Sequence, residues 1–108
     1  MKHEIIDQRS LAMAEIIARR IAENPQLLDL AMENLDRWLT TCSAGSRPAL
    51  LEWKKVLKSG VDAAIETLRG EDERSTRLRQ SSPFAGEEFI TRAERTDLIL
   101  KFAHPKSV

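Results

Sequence analysis

Tyrosine is absent from this 108-residue chain, valine is scarce and no apolar–polar alternation stands out, so nothing in the sequence reads as a β-sheet. Cys42 is the single cysteine, which excludes an intramolecular disulfide and fits a reduced, cytoplasmic setting. The two histidines, His3 and His104, lie near opposite ends of the sequence with no cysteine or carboxylate spacing of a zinc site around them. The four glycines are dispersed, so no phosphate-cradling loop exists. Seventeen basic side chains balance seventeen acidic ones, and this zero net charge excludes a protein held on nucleic acid by bulk electrostatics. No window reaches the ~18 apolar residues of a membrane span. Residues 1–10 carry Lys2, Glu4, Asp7 and Arg9 without a sustained apolar run, so neither a signal peptide nor membrane insertion is expected.

What is present is helical periodicity. Met13, Ile16, Ile17 and Ile21 fall on one stripe of a helix running from Gln8 to Glu23. Asn24 and Pro25 suit an N-cap and a first helical position, opening a second helix to about Thr40 with Leu27, Leu28, Ala31, Leu35, Trp38 and Leu39 inward. An antiparallel hairpin of these two helices is the natural expectation. Residues 41–46 form a loop, after which Ser43 or Ser46 can cap a third helix carrying Leu50, Leu51, Trp53, Val56 and Leu57. Ser59-Gly60 interrupts it. Val61, Ala64, Ile65 and Leu68 mark a fourth helix ending at Gly70, which reads as a left-handed cap. Residues 72–80 hold one strong apolar residue, Leu78, so that helix depends on its neighbours. Thr91 and Glu94 have capping-box spacing before a last helix with Leu98, Ile99 and Phe102 as its stripe, which His104-Pro105 ends.

The expected fold is therefore an all-α single domain over 1–108, of five to six short helices: a helical hairpin (1–41), short helices (46–80), and a loop with a C-terminal helix (81–108). Trp38 and Trp53 are expected in its core, with Met13 and Met32 filling gaps on the apolar stripes.

No catalytic constellation stands out. Cys42 lacks a nearby base, and the runs Glu71-Asp72-Glu73 and Glu87-Glu88 read as solvated charge rather than as a cation site. The expectation is a non-enzyme with no cofactor and no metal. The segment from Arg79 to Arg95 carries the chemistry of recognition. Arg79, Gln80, Ser81 and Ser82 offer directed hydrogen bonds, Pro83 and Gly86 shape the loop, Phe84 supplies an aromatic anchor, and Arg92 and Arg95 follow on the next helix. Phe84 can equally plug the core. A second candidate surface is Arg69, Arg74, Arg77 and Arg79, whose field Glu71, Asp72 and Glu73 partly cancel. With the Ser59-Gly60 corner, which can imitate a helix-turn-helix, it forms the basis of an alternative reading as a dimeric DNA-binding regulator. The acidic Asp62 and Glu66 on the would-be recognition helix argue against it.

Leu78-Arg79-Gln80-Ser81-Ser82-Pro83-Phe84-Ala85-Gly86, followed by Ile90, Thr91, Glu94 and Arg95, resembles the C-terminal signature of small bacterial all-helical antitoxin-like proteins. Glu87-Glu88-Phe89 departs from that pattern, in which an apolar residue commonly follows the glycine. The resemblance implies a small intracellular protein that binds and neutralises a protein partner encoded beside it, a cognate toxin; a homodimer is compatible with the sequence. It places Phe84 in a pocket of that partner, flanked by charge-assisted hydrogen bonds from Arg79 and Arg95 to acidic groups or to a phosphate-binding active site.

Overall fold

The computed structural model describes residues 2–103 and the side chains of 8–102. Six helices follow in order: α1 (Lys2–Glu23), α2 (Leu27–Leu39), α3 (Arg47–Lys58), α4 (Val61–Arg69), α5 (Glu73–Arg79) and α6 (Arg92–Ala103). No strand occurs among the described residues. The fold class is all-α, as the periodicity predicts.

Local chemistry accounts for most boundaries. Between α2 and α3, Ser43 Oγ accepts the Ser46 amide at 3.3 Å, and Pro48 sits in the first turn of α3 where no intrahelical donor is required. Thr91 Oγ1 accepts the Glu94 amide at 3.1 Å while Glu94 Oε1 accepts the Thr91 amide at 2.8 Å, a reciprocal capping box at the head of α6. Asn24 does not cap α2 through its side chain. Its carbonyl accepts the Leu27 amide at 3.0 Å in a lead-in turn, and the helix starts two residues after Pro25.

Two glycines have different reasons to be glycine. Gly60, just before α4, takes φ 109°, a backbone that L-side chains rarely adopt. Gly70 departs from the left-handed cap that its position suggests: its φ is −65° and ψ 145°, an extended conformation open to any residue. Space is the constraint there, since a Cβ would lie 2.9 Å from Ser75 Cβ and 2.8 Å from Asp72 Oδ1.

The expected embrace of α1 and α2 gives way to other partners. α1 packs most extensively on α4, then on α6 and α5, while α2 packs on α3. The buried side chains explain this preference. Ala14, Ile17, Ala18 and Ile21 form the buried face of α1, and its two alanines let α4, which buries Ala64 and Leu68, come close. Trp53 of α3 is fully buried at the centre, joined by Leu35, Leu50, Leu78, Phe84, Phe89 and Ile90. Trp38, also expected inside, is half-buried against this core.

The stripe expected on α6 is only partly covered. Leu98 and Phe102 are half-buried, but Ile99 is 40% and Leu100 57% exposed, because among the described residues α6 packs chiefly on α1. His104 and Pro105, the expected end of that helix, lie outside the described residues.

Candidate functional site: an arginine-rimmed cleft

The segment 80–91 is tied down at several points. Asn34 Nδ2 of α2 donates to the Pro83 carbonyl at 2.9 Å and Arg20 Nη1 donates to the Phe89 carbonyl at 3.0 Å, while just before the segment Trp53 Nε1 donates to the Leu78 carbonyl of α5 at 2.6 Å. Gly86, at φ 123°, opens a turn closed by the Phe89 and Ile90 amides on its own carbonyl. Glu87-Glu88-Phe89, the departure from the antitoxin-like pattern, therefore spaces the chain so that Phe89 turns inward, 1% exposed.

Phe84 belongs to the core. It is 3% exposed and meets Trp53 and Phe89 edge-on, with ring centroids 5.3 and 5.4 Å away. The expectation of Phe84 as an anchor reaching into a partner's pocket is thereby corrected: desolvation has already placed this ring inside its own domain. Pro83 is buried with it.

Arg79 is buried too. Its Nη1 donates to the carbonyls of Leu68, at 3.2 Å, and Gly70, and its Nη2 to Thr76 Oγ1 at 3.3 Å. It thus serves the carbonyls that α4 leaves without helical partners at its C-terminus, which binds α5 to α4. This corrects the picture of Arg79 as a side chain reaching out to a partner or to phosphate.

The other arginines of the supposed nucleic-acid patch are engaged at home. Arg69 holds Glu15 through two hydrogen bonds, at 2.8 and 2.9 Å; Arg74 and Arg77 share Glu52, at 2.6 and 3.1 Å. These contacts hold the Glu15 and Glu52 carboxyls below their ordinary range, with the hydrogen bonds from Arg69 and from Arg74 as the largest causes. Arg69, Arg74, Arg77 and Arg79 therefore form no free basic face. α4, the would-be recognition helix, lays its inner face on α1.

A cleft of about 380 Å³ opens between the middle of α1, the 80–85 segment and the first turn of α6. Its floor is apolar: Met13, Ala14 and Ile17 from α1, Leu68 from the end of α4, and Phe84. Ser10 of α1 and Gln80, Ser82 and Ala85 also line it. So do Arg9 of α1, Arg79 of α5 and Arg95 of α6. None of the described residues lining it is acidic, and no hydrogen bond or ion pair of the Arg9 or Arg95 side chain occurs among the described residues.

Arg79, Gln80, Ser82, Phe84 and Arg95, singled out in sequence, are thus brought to one cleft. Ser81 lines a second cleft instead, one without charged residues among its described lining, together with Trp38, Cys42, Leu50 and again Gln80 and Ser82. Gly86 and Arg92 lie outside both. Arg9 and Ser10 escape a motif-based reading because they sit far from the signature in sequence. Their signal is helical register: Arg9 precedes Met13 by four positions, and Ser10 precedes Ala14 and Ile17 by four and seven.

α6 is held over the cleft by Arg20. Its two Nη atoms grip both Glu94 oxygens at 2.6 Å. This fork, followed by the Thr91 amide, pushes the Glu94 carboxyl down to about 2 from an ordinary 4.5.

No group of three or more metal-ligating side chains gathers among the described residues, and none of the helices among them is long and apolar enough to cross a membrane. No protein-family model, curated protein or solved structure matches this chain.

Proposed function

We propose that this chain is a non-catalytic, cytoplasmic binding protein that receives an acidic part of a protein partner in the cleft between α1, the 80–85 segment and α6. The antitoxin-like signature around Arg79–Gly86 supplies the biological form of this reading: the partner is a toxin encoded beside it, neutralised by being bound. The observation that carries the proposal is that Arg9 and Arg95 line the same cleft as the apolar Met13, Ile17, Leu68 and Phe84, with no acidic residue among the described lining.

Arg19, Arg20, Arg69, Arg74, Arg77 and Lys54 pair with carboxylates, and Arg37 and Arg47 donate to Asn34 Oδ1 and to the Leu39 carbonyl. Two arginines lining one apolar cleft without an acidic residue among its described lining suit an anionic visitor there, because charge-assisted contacts beside apolar surface combine orientation with affinity. The alternative, a dimeric DNA-binding regulator, draws no support from the arginine cluster on which it rested, since Glu15 and Glu52 already occupy it.

The test is co-purification of the tagged chain expressed with its neighbouring genes, in wild-type, Arg9→Gln/Arg95→Gln and Lys58→Gln forms. A stoichiometric partner retained by the wild type and Lys58→Gln, and lost in the double variant with its melting temperature unchanged, is the expected result. Retention of the partner by the double variant overturns the assignment of the cleft.

A further inference from the structure

We propose that the cleft recognises a carboxylate carried directly on a compact apolar group, the chemistry found at the C-terminal residue of a partner chain ending in Leu or Phe and in a free medium-chain acid. The inference rests on the reading above for its choice of cleft and adds the identity of what enters it.

Volume sets the first limit. About 380 Å³ lies at the low end of ligand pockets, which run from roughly 300 to 1,000 Å³. Such a space admits one apolar group with its head, and excludes a helix or an extended stretch of chain. The floor of Met13, Ile17, Leu68 and Phe84 takes that group out of water without a polar demand.

Charge sets the second limit. Arg9 and Arg95 both line the cleft, and a guanidinium offers a planar fork that matches a carboxylate. Ser82, which lines the cleft, accepts the Phe84 amide on its Oγ at 3.2 Å and so keeps its own O–H as a donor. The lining therefore presents donors and positive charge, and the floor presents carbon.

Connectivity sets the third. In an internal acidic stretch the carboxylate sits on a different residue from the apolar side chain, and on an extended chain neighbouring side chains point to opposite faces. A terminal residue, or a free acid, bears both groups on a single short skeleton. The neighbouring cleft beside Cys42 has similar volume, about 400 Å³, and shares Gln80 and Ser82 with this one, yet none of its described lining residues is charged.

The experiment titrates the purified full chain, followed by amide chemical shifts and calorimetry, with two matched probe pairs. Octanoate is compared with 1-octanol, and a leucine-terminated hexapeptide bearing a free carboxylate is compared with its C-terminal amide. At least one acid should bind about tenfold or more tightly than its neutral match, with shifts centred on Ser10, Ser82 and Ala85. Arg9→Gln/Arg95→Gln should abolish that preference, and Lys58→Gln should keep it. Binding of the peptide acid alone assigns a chain terminus as the source; binding of octanoate alone assigns a free acid.

Equal affinity within both pairs, no binding by either acid, or an unchanged preference in the double variant overturns the inference. Its failure is separable from that of the partner assignment. A partner lost in the double variant without any acid binding removes only the terminal-carboxylate chemistry, whereas acid binding with the partner retained removes only the partner reading.

Discussion

The ring of Phe84 meets that of Trp53 edge-on, centroids 5.3 Å apart and planes at 87°. Phe89 closes the cluster from the other side at 5.4 Å and 72°, so three aromatic rings fasten the 80–91 segment to α3. Phe84→Ala would empty a site that is almost wholly desolvated. The expected cost is about 3–5 kcal/mol, a large part of the stability of a domain this size. Urea unfolding checks it: the midpoint should fall sharply, and Phe84→Leu should lose much less. Partner binding lost in Phe84→Ala would then report damage to the fold. A variant as stable as the wild type would show that the ring cluster contributes little.

Arg20 and Glu94 predict an acid-sensitive attachment of α6. The folded Glu94 carboxyl titrates at about 2 against an ordinary 4.5, so its ionised form is favoured by folding. The stabilisation is fully present above pH ~4.5 and is lost as pH falls through the range down to about 2. Thermal unfolding should therefore show a gap between wild type and Glu94→Gln that is constant near neutrality and closes with acidification. A gap that persists unchanged into this acid range would assign Glu94 a steric role in place of an ionic one.

Gly60 and Gly70 should respond to alanine in opposite ways to rescue. Gly60 has open space around a would-be Cβ but a φ of 109° with ψ −179°, a region open essentially to glycine alone, so Gly60→Ala should cost about 1–3 kcal/mol and Gly60→Asn no less. Gly70 has a permitted backbone and no space, so Gly70→Ala should be recovered in part by Ser75→Gly, which removes the side chain in the way. Denaturation midpoints of the two singles and the Gly70→Ala/Ser75→Gly double variant decide this. Absence of any recovery would show that the Asp72 contact is the controlling one.

Features decided by short-range chemistry were legible in the sequence. The Thr91–Glu94 capping box and Pro48 in the first turn of α3 depend on neighbours within a few residues, and both occur as read. The burial of Trp53 followed from helical period alone. What escaped depends on groups far apart in sequence. The roles of Arg79, on α4's terminal carbonyls, and of Glu52, between Arg74 and Arg77, come from tertiary approach, which no local pattern encodes. The same is true of the cleft. The signature supplied Gln80, Ser82 and Arg95, but Arg9 arrives from a helix more than seventy positions earlier, and only its register with Met13 hints that it shares their face.

Glu15 and Glu52 control whether this protein has a basic face at all. Together they occupy Arg69, Arg74 and Arg77, yet these pairs are well exposed, so Glu52→Gln should lower stability by less than about 1 kcal/mol. The electrostatic consequence is larger than the energetic one. Glu15→Gln/Glu52→Gln moves the net charge from zero to two positive and leaves three arginines facing water. At low salt the double variant should bind a DNA fragment weakly, with an affinity that falls steeply as salt rises, while the wild type does not bind. Fluorescence anisotropy of labelled DNA makes the comparison. If the wild type itself bound with a steep salt slope, phosphate would have to displace both glutamates from their arginines, and the regulator reading would regain the surface on which it depends.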